Sequence, residues 1–297
     1  MKFRLILIFL LFIVSCGTIM LSQKELDFKP DKSNKSDTTD FNYSDIINDL
    51  KRQLSDSFYI TTYSSFVIAS NLNITETNII ISNTISKAQD CFYNDYLDKK
   101  PDEVTTILLF KEDNSYRYWA KKLFGDTDLS RFGYYKPGQK VMLMNISTGT
   151  GTLVHELTHC FVNFDFPDIP AWFNEGLGSL YERCSLSDNQ ILGYVNWRLP
   201  ELQEAISDKS YTDLETLMNM SDNTFYGKSS SLNYSQARYL CLYLQQKRLL
   251  KKFYKTYRDK FEEDKTGIKF IKSITKSNLA KLDSDFVEWV KTLKYNP

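Results

Sequence analysis

The sequence predicts an α+β fold: a mixed α/β portion over residues 41–147, then a mainly helical portion over 148–297. Three observations carry this expectation. Up to residue 147, apolar residues fall partly at helical spacing and partly in short β-branched and aromatic runs bounded by turn residues. Beyond Gly151, spacings of three and four dominate and convincing extended runs vanish. Once a polar N-terminal stretch is set aside, the chain is long enough for one large domain or two small ones with a sizeable core.

The chain opens MKFRLILIFLLFIVSCGT, a short basic start followed by an unbroken apolar run from Leu5 to Val14. A membrane-spanning helix needs about twenty apolar residues, so residues 1–15 read as an export signal. Ile13-Val14-Ser15-Cys16 resembles the lipobox of bacterial lipoproteins. That resemblance implies a mature chain beginning at a lipid-modified Cys16 and held on a membrane of the bacterial cell envelope by its acyl chains. Residues 16–40 are rich in Ser, Lys, Asp and Thr and poor in large apolar groups, which predicts a disordered tether.

In the portion that follows, the pattern predicts a helix over 44–54, an extended run over 58–69, a helix over 75–97, a strand over 104–110 and a short helix over 114–124. Pro137-Gly138 supplies turn chemistry between two apolar or aromatic arms, the second a strand over 141–146. STGTGTL carries two glycines but neither the lysine nor the spacing of a phosphate loop, and reads as a turn. Helices are expected over 152–163, 171–181, 188–206, 234–261 and 284–293, with Pro167, Pro170 and Pro200 as boundaries or helix starts.

Formal charge is balanced, with 37 basic and 37 acidic side chains, and no basic block is interleaved with aromatics. Nucleic acid is therefore not an expected partner. Beyond Cys16 four cysteines remain, Cys91, Cys160, Cys184 and Cys241, whose pairing sequence alone leaves open. Cys160 and Cys241 sit among apolar neighbours on expected helices, where a buried free thiol is as good a reading as a bridge.

The two histidines of the chain lie one helical turn apart in HELTH, so His155 and His159 project from one face and can grip a single metal ion. Glu156 stands about 100° further round the helix, where a base for a metal-activated water belongs. Catalytic zinc takes three protein ligands, and with no further histidine the third must be a carboxylate or thiolate. Glu175, on the expected helix of PAWFNEGLGSLYE, is the best candidate; Asp165, Asp168, Glu182 and Cys160 compete.

The HExxH helix, the short Pro-containing turn and WFNEGLGSLYE together resemble the gluzincin metallopeptidases, in particular the peptidase MA-like lipoproteins and envelope proteins of bacteria. Trp172, Glu175, Gly176, Gly178 and Tyr181 fit the slots that family shows, and the likeness extends over about residues 141–246. It implies a zincin-like fold with an edge strand above the metal helix. It also implies one catalytic Zn²⁺ held by His155, His159 and Glu175, with Glu156 as general base.

In YSQARYLCLYLQQ the resemblance further places Tyr234 where a phenol stabilises the oxyanion. A peptide or protein substrate is then expected to pair with the strand over 141–146. The chain lacks the Gly-x-Met-Glu-Asn motif of the aminopeptidase branch, which favours an endopeptidase. The competing expectation is a non-catalytic zinc-binding envelope lipoprotein that acts as a binding or assembly module; an intact Glu156 argues against it, because holding metal does not require that residue.

Overall fold

A computed structural model describes residues 41–296. The expected export signal, Cys16 and the tether lie outside the described residues. The first portion contains α1 (Ser44–Gln53), β1 (Tyr59–Tyr63), β2 (Phe66–Ser70), α2 (Ile74–Ile80), α3 (Ser86–Asp95), β3 (Thr105–Phe110), α4 (Asp113–Phe124), β4 (Gly133–Lys136) and β5 (Val141–Asn145). Helices α2 and α3 form one rod joined through a π turn at Ile81–Ile85, and Asn73 caps its start with Glu76 answering it three residues on.

The five strands form one sheet in the order β1-β2-β3-β5-β4, with β2, β3 and β5 parallel and the two outer strands antiparallel. Both faces of its centre are covered, which is why FVIAS, TTILLF and VMLMN read as continuous runs with no polar alternation. The period-two geometry of a strand divides them cleanly. Val67, Ala69, Leu108, Phe110 and Leu143 pack with Leu50, Leu54, Tyr116 and Trp119 of α1, its C-terminal edge and α4. Their neighbours Phe66, Ile68, Ile107, Leu109, Met142 and Met144 face the main core.

That main core continues into the second portion: α5 (Gly151–Asp165), α6 (Ala171–Tyr181), β6 (Cys184–Ser187), β7 (Gln190–Gly193), α7 (Leu199–Ser207), α8 (Leu214–Met218), α9 (Asp222–Phe225), α10 (Ser230–Gln246), α11 (Leu250–Asp259), α12 (Ile268–Thr275) and α13 (Leu279–Thr292). The α+β expectation, with a sheet first and helices after, holds. Among the described residues no helix is long and apolar enough to cross a membrane. Cys91, Cys160, Cys184 and Cys241 are free thiols, the first two and the last of them buried.

Four local expectations are corrected. The run over 58–69 is a hairpin of β1 and β2, turned at Ser64 in a left-handed conformation (φ 50°). Residues 188–193 belong to the β6–β7 hairpin instead of a helix, because Asp188 and Asn189 both take positive φ (51° and 54°), the backbone a tight two-residue turn needs and one Asp and Asn tolerate. The helix expected over 234–261 is two, α10 and α11. Arg248 closes the first with φ 58°, and the amide of Leu249 returns to the carbonyl of Leu244 at 2.8 Å.

The fourth correction concerns the edge strand. The strand over 141–146 is paired on both sides, in parallel with β3 (Thr106 opposite Val141) and antiparallel with β4 (Lys136 opposite Val141). The edge nearest α5 is β4. An apolar stretch such as VMLMN marks an interior strand; the half-buried GYYK is the strand with one side open.

Candidate metal centre

Helix α5 is buried on nearly all sides, with Leu153, Val154, Leu157, Phe161 and Val162 at 3% exposure or less. Its two histidines therefore face a partner element and a cleft, not open solvent. One turn of helix brings Nε2 of His155 to 2.9 Å from Nε2 of His159. The chain then turns at 166–170, and Pro170 at the N-cap of α6 starts the helix that carries Glu175 back. Oε2 of Glu175 lies 3.5 Å from Nε2 of His155 and 3.4 Å from Nε2 of His159.

Two glycines allow α6 to come this close. A β-carbon on Gly178 would stand 3.0 Å from Cε1 of both imidazoles, and one on Gly176 would stand 2.9 Å from the carbonyl oxygen of Ala237 and from Sγ of Cys241 on α10. The EGLG run thus gives α6 a bare face toward the histidines and another toward α10. Its C-terminal carbonyls are met by the buried Arg238, whose Nε donates to the Ser179 carbonyl at 2.9 Å.

Each ligand candidate is held from behind. Nδ1 of His159 donates to Oδ1 of Asn174 at 2.9 Å, which leaves Nε2 as the nitrogen with a free lone pair. Nδ1 of His155 faces Oε1 of Glu182 at 3.5 Å. Glu182 in turn accepts two bonds from Arg198, Nε at 3.1 Å and Nη2 at 2.9 Å, and one from Nδ2 of Asn196 at 3.0 Å. Oη of Tyr226 donates to Oε1 of Glu175 at 2.8 Å.

This set fits a cation. Among the described residues, Oε2 of Glu175 is buried without a hydrogen-bond partner, and two imidazole nitrogens that each carry a lone pair cannot face one another at 2.9 Å unless a proton or a cation lies between. His155, His159 and Glu175 offer donor atoms within 4.8 Å of one another, a grouping that could hold a metal ion. Without metal, protons take that place. Burial pushes His155 down, but Glu175 and Glu182 outweigh it and hold it up at about 10; His159 is raised against its own burial, chiefly by the charge of Glu175. Burial opposes ionisation of Glu175 too, and the two histidines overcome it to keep the carboxyl well below its ordinary range.

The competing third ligands are engaged elsewhere. Asp165 is 2.6 Å from Nη1 of Arg258, Cys160 is within 3.6 Å of Thr105 Oγ1, Glu182 stands behind His155, and Asp168 is exposed in the turn. Glu156, which is buried, and Tyr234 both line a cleft of about 530 Å³ that has His155, His159 and Glu175 in its wall and Gly133, Tyr134 and Tyr135 of β4 along its side. Burial first, and then the charge of Glu175, push the Tyr234 phenol up, so it stays a hydrogen-bond donor. The Arg198 guanidinium lies 5.4 Å from the centre of that ring.

Asn174, Tyr226 and the outer role of Glu182 went unread in the sequence. Asn174 had a signal, since it precedes Glu175 on a helix whose register with α5 the glycines fix. Tyr226 had none: it follows a four-residue helix in a stretch without periodicity.

Residues 145–264 are similar to a family described as "Protein of unknown function (DUF1570)", a stretch that runs from the end of β5 past α11 and contains His155, His159 and Glu175. No curated protein matches the chain.

Proposed function

We propose that the protein is a membrane-anchored zinc-dependent peptidase. The observation that carries the reading is the buried group of His155, His159 and Glu175 in the wall of a cleft, with the partnerless Oε2 turned toward both imidazole nitrogens and Glu156 beside them. Two imidazoles and one carboxylate make up the donor set of catalytic zinc sites, which keep a further position open. A zinc ion there supplies a Lewis acid that activates water and polarises a carbonyl.

The chain's own residues do the rest. Glu156 takes a proton from the attacking water and hands it to the departing amine nitrogen as the C–N bond breaks. Tyr234, kept protonated, donates to the oxyanion. An extended peptide lies along β4, whose outer side is unpaired among the described residues, so backbone pairing fixes the scissile bond over the cleft. Among the carboxylates that line the cleft, Glu182 is neutralised by Arg198 and Glu175 faces the histidines. With Glu156 assigned as the base, no further carboxylate among the described residues lines the cleft to hold a substrate's terminal amine, which favours an endopeptidase.

Anchoring at Cys16, after export to the bacterial cell envelope, is part of the proposal. Labelling with a palmitate analogue that is lost in Cys16→Ser would support it, and equal labelling of both would remove it.

The test of the activity is zinc content and cleavage of a mixed peptide library by the wild type, Glu156→Gln and Glu175→Ala. Wild type and Glu156→Gln should hold one zinc per chain and Glu175→Ala should lose it, with cleavage by wild type only. Loss of a general base costs about a hundred- to ten-thousand-fold. Bound zinc without cleavage of any peptide would shift the reading to a zinc-dependent binding module.

A further inference from the structure

We infer that Tyr226 positions Glu175 as a ligand through one oxygen, by hydrogen-bonding the other. The inference rests on the metal-centre reading above. Oη of Tyr226 donates to Oε1 of Glu175 at 2.8 Å, whereas Oε2, buried and without a hydrogen-bond partner, faces the two histidine nitrogens at 3.5 and 3.4 Å. The two carboxylate oxygens therefore have separate tasks. A carboxylate free to rotate about its last bond can present either oxygen or both; a phenol fixed on one side removes that freedom before any cation arrives.

Tyr226 is itself fixed. It follows α9, whose first turn is capped by Ser221, and Phe225 before it is fully buried with its carbonyl accepting from Nδ2 of Asn233 at 2.9 Å. The Tyr226 ring stands edge-on to Phe225 at 5.4 Å and to Tyr234 at 6.3 Å. Nearly half of Tyr226 (48%) remains exposed, so the ring rests at the surface and its hydroxyl reaches inward to a carboxylate that is 7% exposed. Helix α9 thus serves as a bracket that closes over the third ligand. Tyr234, one ring away, lines the cleft and also feels Glu175, but the phenol bonded to Oε1 at 2.8 Å is that of Tyr226.

The two phenols can be told apart with metal alone as the probe. On the full chain, the dissociation constant for Zn²⁺ is measured by chelator competition and the visible absorption of the Co²⁺-loaded protein is recorded, for wild type, Tyr226→Phe and Tyr234→Phe. Tyr226→Phe should weaken zinc at least about tenfold, the usual consequence of losing a group that orients a ligand, and should shift the cobalt bands. Tyr234→Phe should cost clearly less than Tyr226→Phe, because its phenol also feels Glu175 but is not the one bonded to Oε1 at 2.8 Å. The melting temperature of metal-free Tyr226→Phe reports directly on its fold, since the change removes one oxygen and keeps the ring.

Unchanged zinc affinity and cobalt bands in a folded Tyr226→Phe overturn the inference. So does an equal loss in Tyr234→Phe, which would mark a general disturbance of the aromatic cluster. If the wild type binds neither metal, the metal-centre reading falls and takes this one with it; if the wild type binds and Tyr226→Phe is indifferent, this one falls alone.

Discussion

Gly178 and His155 meet with no room for a further carbon between them: a β-carbon at 178 would lie 3.0 Å from Cε1 and 3.1 Å from Nε2 of the imidazole. Gly178→Ala should therefore lower two readouts. Alanine is favoured over glycine within a helix by about 0.8–1 kcal/mol, but contacts at 3.0–3.1 Å with two buried imidazoles oppose that gain, so the metal-free melting temperature should fall. Zinc affinity should fall about tenfold, the scale of effect seen when a ligand's orientation is disturbed. Chelator competition and thermal melts in EDTA measure the two; unchanged affinity would place the histidines farther from α6 than described.

Glu182 joins His155 to Arg198 across the back of the site, with its side chain 17% exposed and that of Arg198 13%. Glu182→Ala leaves a largely buried guanidinium without its anion and an imidazole without its orienting carboxylate. Removing one member of such a pair costs about 3–5 kcal/mol, which urea unfolding of the metal-free protein should register. A double variant with Arg198→Met should recover part of that loss, because no charge is then left unpaired.

Metal uptake should release protons. The folded-state pKa of His155, about 10, lies above its ordinary value, so at neutral pH the metal-free site carries a proton that a cation must displace. Apparent zinc affinity then rises with pH toward about 10 and falls as pH drops below neutral. The sign for metal-free stability is the reverse. A raised imidazole contributes fully below its unfolded value, about 6.5, and that contribution is lost as pH climbs through about 10. Calorimetric titration in buffers of different ionisation enthalpy measures the proton count, and a count of zero would exclude a protonated site.

Arg238 is fully buried and donates to the carbonyls of Ser179, Leu180 and Tyr194, where α6 ends and the β6–β7 hairpin returns. Replacing it with methionine takes the guanidinium from the Leu180 and Tyr194 carbonyls and leaves that of Ser179 with only the Glu182 amide at 3.4 Å; each buried carbonyl left without a donor costs about 1–3 kcal/mol. The expected result is a protein less stable by several kcal/mol in urea. Its Glu175 moves with α6, so zinc affinity should weaken as well.

The paired histidines were legible because HELTH encodes them locally: on a helix, residues four apart share a face whatever surrounds them. Glu175 was nearly as legible, since Pro170 and the EGLG run mark a second helix that must return against the first. The interior strands announced themselves by unbroken apolar runs. The hairpin at Asp188-Asn189 and the break at Arg248 were harder. They depend on single residues taking positive φ inside stretches whose apolar spacing still suits a helix.

By itself, then, the sequence determined the fold class, the paired histidines, Glu156 beside them and Glu175 as the leading candidate for a third donor, all of which follow from spacing within one or two adjacent elements. Only the tertiary structure decided that β4 and not β5 is the open edge, that Asn174 bonds His159 while Glu182 faces His155, and that Tyr226 holds one oxygen of Glu175. The physical reason is one of range. Helical phase is set by local backbone geometry, whereas strand order and a phenol meeting a carboxylate 51 positions away are set by how separate elements pack, and no local pattern carries that information.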